Sequence, residues 1–315
     1  MEVVFKLSPK IVNLIAKAER HSGAWDRISR GEKPSRSTSR ANVQTLVSLE
    51  GSFNEGSQFD RFLPANALSS LESMRSTAAE SLPSHIYQQL AAEQEIDEIY
   101  RTEKTRLYFQ GDGALQLLFP TVQPFLIEQR LQDLLEWLAQ ELKDGRLHPL
   151  LVIGCFHLLL LQISPYARFN HTVALLSVAE LLQRSGFTAL ARRPVASQLL
   201  RCRTRYGRSL KQAEKTAASS WATLNVWLEF FLAAIGACVE EAVATELEAA
   251  DFSLLTPTQQ SIVEAVRLLG SATREQIADS SGVNVSTVKY NLGVLLEKKV
   301  LQRYGRGRTT NYQVS

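Results

Sequence analysis

Ile163-Ser164-Pro165-Tyr166-Ala167-Arg168-Phe169-Asn170-His171-Thr172 divides two strongly apolar segments, and it reads as the end of one helix, a loop and the start of another. Before it, Leu147 to Ile163 is expected to be helical, and its apolar run Leu150–Leu161 is about one core helix long, well short of the ~20 residues that span a bilayer. After it, His171 to Arg184 keeps helical spacing. Further out, helices are expected over about Leu126–Leu142, Ala196–Thr216 and Ser220–Ala249. Arg106–Pro120 is the one stretch before the C-terminal region with strand character. Leu107-Tyr108-Phe109-Gln110 and Leu115–Phe119 flank Gly111-Asp112-Gly113, the pattern of a hairpin turn. Nearer the start, Leu7, Ile11, Leu14, Ile15 and Ala18 predict a helix over Leu7–Glu19. Arg27–Ala41 reads as a mobile connection, Ala41–Leu49 as a helix, Ser52–Ala65 as a loop and Ile86–Tyr100 as helical.

The chain has 315 residues, enough for two or three domains, and its 45% apolar content suits a chain that buries a substantial core. The first ten residues lack the basic head and apolar block of a secretory signal. Cys155, Cys202 and Cys238 are far apart and without metal-ligand spacing, which predicts reduced thiols in a cytoplasmic protein with no metal, and the short apolar runs predict no membrane partner. From Ser253 onward there are eight Lys/Arg against four Asp/Glu, so a net charge of +3 overall leaves −1 for the remainder. A local basic excess of this kind is what a phosphate-binding surface requires.

That basic region has its own punctuation. Thr256-Pro257 opens a helix lined by Ile262, Val263, Val266 and Leu269, and Gly270 ends it. Thr273 starts a short helix, Ser281-Gly282 is a tight turn, and Asn284 or Ser286 caps a third helix with Val288, Leu292, Leu295 and Leu296 inward. This is the spacing of a helix-turn-helix, with two alternating strands, Val300–Tyr304 and Thr310–Val314, as a wing. Ser286, Thr287, Lys289 and Tyr290 lie on the outer face of the third helix, and Arg306 and Arg308 lie at the wing tip. These six are the candidate DNA-binding residues. Winged helices also serve as protein-interaction modules, and a Gly-Arg tip also occurs as a plain soluble turn.

Around Ser164–Thr172 the chain resembles the Fic family, enzymes that transfer AMP from ATP to a hydroxyl of a target protein. The family motif is His-Pro-Phe-x-Asp/Glu-Gly-Asn-Gly-Arg-x-x-Arg. The flanks resemble the family as well: Pro124–Leu142 with His148-Pro149-Leu150 ahead of the core, Phe156-His157 at the expected offset, then Leu181–Phe187, Tyr206–Leu210 and Trp227–Leu232. Ser48-Leu49-Glu50-Gly51 resembles the inhibitory segment of some members, and a C-terminal winged helix is a common attachment there. The resemblance covers nearly the whole chain. It implies a mainly α fold, a Fic-like helical bundle with a small β-hairpin flap, followed by a winged-helix domain. The expected division is an N-terminal helical region over 1–105, a Fic-like core with distal helices over 106–250, and a DNA-binding domain over 251–315.

Measured against that motif, the chain has lost the family's chemistry. The general base is replaced by Ser164, which has no useful pKa near neutrality. Arg168 stands where the family holds Mg²⁺ with a carboxylate. Phe169 and His171 replace the two glycines that let backbone amides cradle phosphates. Thr172 and Leu175 replace the two arginines, so Pro165, the aromatic Tyr166 and Asn170 are what remains. Glu50 has no arginine left to pair with, and the position four before it is Leu46. His157 and His171 are candidate substitutes for the base, against the readings of His157 as a helix residue with one buried hydrogen bond and His171 as exposed; Arg201, Arg203, Arg205 and Arg208 read as a solvated face, with contact to phosphates as the alternative. The expectation is a homodimeric DNA-binding regulator with an inactive Fic-like domain, using no cofactor. The alternatives are a Fic-type enzyme of altered chemistry, needing ATP and Mg²⁺, and a partner for another protein.

Overall fold

The computed structural model describes residues 7–29, 53–54, 77–92, 96, 98–110, 115–214, 221–305 and 310–314. The fold is mainly α, as expected, and divides into two compact units, Met1–Val243 and Ala244–Ser315.

The first unit is built around α4 (Pro149–Ile163) and α5 (Asn170–Arg184). Helix α4 is apolar on every side, and all but two of the 13 residues from Leu151 to Ile163 are buried; such a helix belongs at the centre of a bundle. Helix α3 (Ile127–Asp144) packs on it through Leu131, Leu134 and Leu138, and ends at Gly145, whose φ of 64° suits glycine. Two further helices, α1 (Pro9–Ile28) and α2 (Leu82–Ala92), close the bundle, with α2 against α5. Helix α1 is capped by Ser8 and runs nine residues past its expected end at Glu19, into the segment expected to be a mobile connection. Its Lys10 and Lys17 pair with Glu229 and Glu240 of α8 (Trp221–Ser253). At Gly154 a Cβ would meet Leu228 and Phe231 at 2.9 Å, and Trp227 Nε1 donates to the Gly154 carbonyl at 2.8 Å. The absence of a side chain there is what lets α8 pass so close to α4.

Strands β2 (Arg106–Gln110) and β3 (Leu115–Pro120) form the expected hairpin, with a bulge at Leu107/Tyr108. A two-residue strand, β1 (Phe53–Asn54), pairs with β2 inside the segment expected to be loop. Two helix expectations need correction. The helix predicted over Ile86–Tyr100 stops at Ala92, and Tyr100 instead pairs in extended fashion with Tyr166. The helix predicted over Ala196–Thr216 is two, α6 (Val195–Arg201) and α7 (Arg203–Glu214), broken where Cys202 leaves helical geometry.

The second unit contains α9 (Pro257–Leu269), α10 (Arg274–Ser281), α11 (Val285–Glu297) and a hairpin of β4 (Leu301–Tyr304) with β5 (Asn311–Val314). Thr256 and Thr273 each form a reciprocal capping box with the glutamine three residues on, Gln259 and Gln276. Gly282 makes the turn at φ 67°, and Asn284 caps α11 by accepting from the Ser286 amide. Its core joins Ile262, Val263, Val266, Ile277, Val288, Leu292, Leu295 and Leu301.

Candidate functional site

The loop 164–169 is held at both ends by residues in left-handed backbone geometry, Ser164 at φ 42° and Phe169 at φ 61°. For side chains with a Cβ this conformation costs roughly 1–2 kcal/mol, so its surroundings must enforce it. Ser164 caps the C-terminus of α4. It is fully buried, its amide donates to the Leu160 carbonyl, and its hydroxyl donates to the Leu161 carbonyl at 2.7 Å. Asn170, the first residue of α5, folds back on the loop. Its Oδ1 accepts from the Tyr166 amide and its Nδ2 donates to the Tyr166 carbonyl, each at 2.8 Å. Tyr166 stacks on Tyr87 at 4.5 Å between ring centroids, and Ser84 Oγ lies 3.3 Å from its hydroxyl. Burial pushes the Tyr87 phenol up to about 12 and raises that of Tyr166 further.

The loop is pinned by Arg101, which the sequence reading did not single out. Its side chain is buried, with Nε donating to the Ser164 carbonyl at 2.7 Å and the guanidinium reaching the carbonyls of Ile163, Glu103 and Val122. A guanidinium at the C-terminal end of α4 meets the carbonyls that a helix leaves unpaired and the negative end of its dipole. The signal in the sequence is slight: one arginine in an unremarkable linker.

Behind the loop, the Tyr206 hydroxyl sits between Nε2 of His157 at 2.7 Å and Nε2 of His171 at 3.0 Å. A phenol has one proton to give, so it donates to one ring and accepts from the other. Both histidines are fully buried, which corrects the expectation that His171 is exposed. Burial, with the neighbouring His171, lowers the His157 pKa to about 3, and its ring stacks on Trp227. Thr172 and Leu175 are buried, and Phe169 joins the core cluster. Arg168 is exposed. The loop thus brings together Ser164, Pro165, Tyr166, Phe169, Asn170, His171 and Thr172, with the reactive atoms of Ser164 and Asn170 committed to backbone. Cys155, Cys202 and Cys238 are free thiols, and burial pushes Cys155 and Cys238 up to about 12. Glu50 lies outside the described residues. Among the described residues, no group of three His, Cys, Asp or Glu is arranged to hold a metal ion, and no helix is long and apolar enough to cross a membrane.

In the second unit, Ser286, Thr287, Lys289 and Tyr290 are all exposed on α11, and Tyr290 keeps 75% of its surface in solvent. The opposite face is fixed by Asn291, which donates to the Thr287 carbonyl and accepts from Gln259 of α9. Arg303 on β4 is a further exposed cation beyond the six named from sequence. Arg306 and Arg308 lie outside the described residues.

No family sequence profile and no curated protein matches the chain. Solved structures do. A Fic domain containing signaling protein from Bacteroides thetaiotaomicron is similar at a TM-score of 0.47, with 16% identity over 77% of this chain and 97% of that one. Fic-1 from C. elegans is similar at 0.49, with 16% identity over 75% of this chain and 71% of the other. A Fic family protein from Desulfovibrio desulfuricans matches at a TM-score of 0.63, with 19% identity, over 100% of this chain and 98% of that chain. From end to end, then, this chain has the fold of that Fic family protein.

Proposed function

We propose that this protein binds double-stranded DNA through its C-terminal unit as a homodimeric regulator of transcription, and that its Fic-fold unit transfers nothing. The observation that carries the reading is the outer face of α11, where Ser286, Thr287, Lys289 and Tyr290 stand exposed near the helix N-terminus, the end that meets base edges when such a helix enters a major groove. Hydroxyls, an amine and a phenol suit both phosphates and base edges. The only acidic residue on α11, Glu297, is its last. A two-fold pair of copies would present two such helices to one site.

For the Fic-fold unit, the support is that the loop residues fit neither Mg²⁺ nor a triphosphate. The Ser164 hydroxyl is spent on the Leu161 carbonyl, a cation occupies the metal-ligand position, and Phe169 is packed into the core. General-base and electrostatic stabilisation each contribute roughly 10²–10⁴-fold to such reactions, so losing both leaves little. The unit then serves as scaffold and dimerisation element.

Electrophoretic shift of genomic DNA fragments tests the first half. Binding by the full chain that disappears in Lys289→Ala/Tyr290→Ala supports it, and no binding by the unmodified chain overturns it. Incubation with labelled ATP and Mg²⁺ or Mn²⁺ tests the second: incorporation into protein would instead favour AMP transfer by altered chemistry.

A further inference from the structure

Helix α7 carries three exposed cations, Arg205, Arg208 and Lys211, that meet no carboxylate among the described residues. Between positions 201 and 215 the chain has six Lys/Arg and one Glu. Arg201 is satisfied by Glu241 of α8 at 2.6 Å. Arg205, Arg208 and Lys211 are exposed and have no ion pair among the described residues. Elsewhere in the same unit, Lys10, Lys17, Arg146 and Arg184 each meet a carboxylate.

The arrangement is costly for the helix itself. Cations spaced three apart face each other along the surface, where like charges destabilise the helix. Arg203 and Arg205 sit in the first turn, the positive end of the helix dipole, which disfavours them. The backbone beneath is held firmly: Tyr206, Ser209, Leu210 and Ala213 are buried on the other face. At Gly207 a Cβ would run into the Phe109 ring, so the hairpin locks against α7. A rigid helix therefore displays three charges over about 9 Å of its axis.

We propose that this face of α7 is a second contact with DNA, made to the phosphate backbone without regard to sequence. The charge density matches: one strand of duplex DNA presents a phosphate about every 3.4 Å along the axis, so about three fall within the reach of Arg205, Arg208 and Lys211. The inference rests on the reading that this chain binds duplex DNA, and the test separates the two.

Affinity of the full chain for random-sequence duplex and for a selected genomic fragment is measured across a salt series. Arg205→Gln/Arg208→Gln/Lys211→Gln should lower the slope of log affinity against log salt by about 2–3, equally for both DNAs. Arg205→Lys/Arg208→Lys, which keeps the charges, should retain the slope, and melting curves confirm that each variant is folded. An unchanged slope in the folded triple variant, with binding still lost in Lys289→Ala/Tyr290→Ala, overturns this contact and leaves DNA binding by α11 standing. A reduced slope with no effect of the α11 substitutions supports the α7 contact and overturns the α11 reading. No duplex binding by the unmodified chain overturns both. Binding of fluorescent polyglutamate through the same three residues, with the DNA slope unchanged, would assign the face to an acidic protein and overturn the proposal.

Discussion

The hydroxyl of Tyr206 lies 2.7 Å from Nε2 of His157, a contact between residues 49 apart in sequence that ties α7 to α4 inside the core of the Fic-fold unit. The same oxygen reaches His171 on α5. Tyr206→Phe keeps the ring and removes the link, leaving buried imidazole nitrogens without this partner. The expected cost is about 1–3 kcal/mol per group left unsatisfied, read from urea denaturation midpoints. An unchanged midpoint would show that the bridge contributes nothing.

Acid should weaken the same region. His157 is neutral when folded because burial lowers its pKa to about 3, while in the unfolded chain it titrates near its ordinary value. Between those two values the unfolded state holds the extra proton, so stability rises with pH and is lost as pH falls from about 6.5 toward 3. This one group contributes on the order of 1 kcal/mol per pH unit in that window. His157→Gln should flatten the dependence of stability on pH over it, and an equally steep profile in the variant would assign the acid sensitivity elsewhere.

Gly207 is the point where the hairpin meets α7. Gly207→Ala drives a methyl into the Phe109 ring and should cost about 1–3 kcal/mol of overpacking. Phe109→Leu in the same chain should recover part of it. Simple addition of the two losses in a double-mutant cycle would mean that the contact does not couple them.

On the proposed reading, a histidine placed at position 164 does not create a site. Ser164 is fully buried in a left-handed cap with its hydroxyl on the Leu161 carbonyl. Ser164→His should therefore destabilise the unit, by roughly 1–3 kcal/mol or more, and still give no labelled AMP on protein. Incorporation by this single variant would show that the loop retains a working nucleotide site.

Gly293 sits in the middle of α11, exposed, with nothing within 4 Å of where a Cβ would be. Gly293→Ala should raise stability by about 0.5–1 kcal/mol. Where α11 enters a groove, the added methyl meets the duplex and affinity falls even as the melting temperature rises. Equal affinity would mean that DNA does not approach the helix at this position.

Much of the fold is legible one element at a time. The apolar run of α4, the strand-turn-strand pattern of β2–β3 and the Thr-Pro and Gly signals of the second unit each act within a few residues. The failures share a physical cause. The break at Cys202 carries no Gly or Pro, and apolar spacing continues across it. Tyr100 leaves helical geometry because Tyr166, 66 residues on, offers its backbone and its ring. His171 looked exposed because nothing near it in sequence shows that Tyr206 covers it.

The sequence by itself determined which residue types the 164–175 segment holds and how the C-terminal unit is punctuated, because residue identity, capping and helical period are local properties. Only the tertiary structure decided what the remaining groups do. Asn170 closes its own loop, Arg101 caps a helix from a distant linker, and Arg205, Arg208 and Lys211 have no ion pair among the described residues while Arg201 meets Glu241. Those outcomes depend on which side chains packing brings within about 3 Å, and hydrogen bonds and ion pairs exist only at that range.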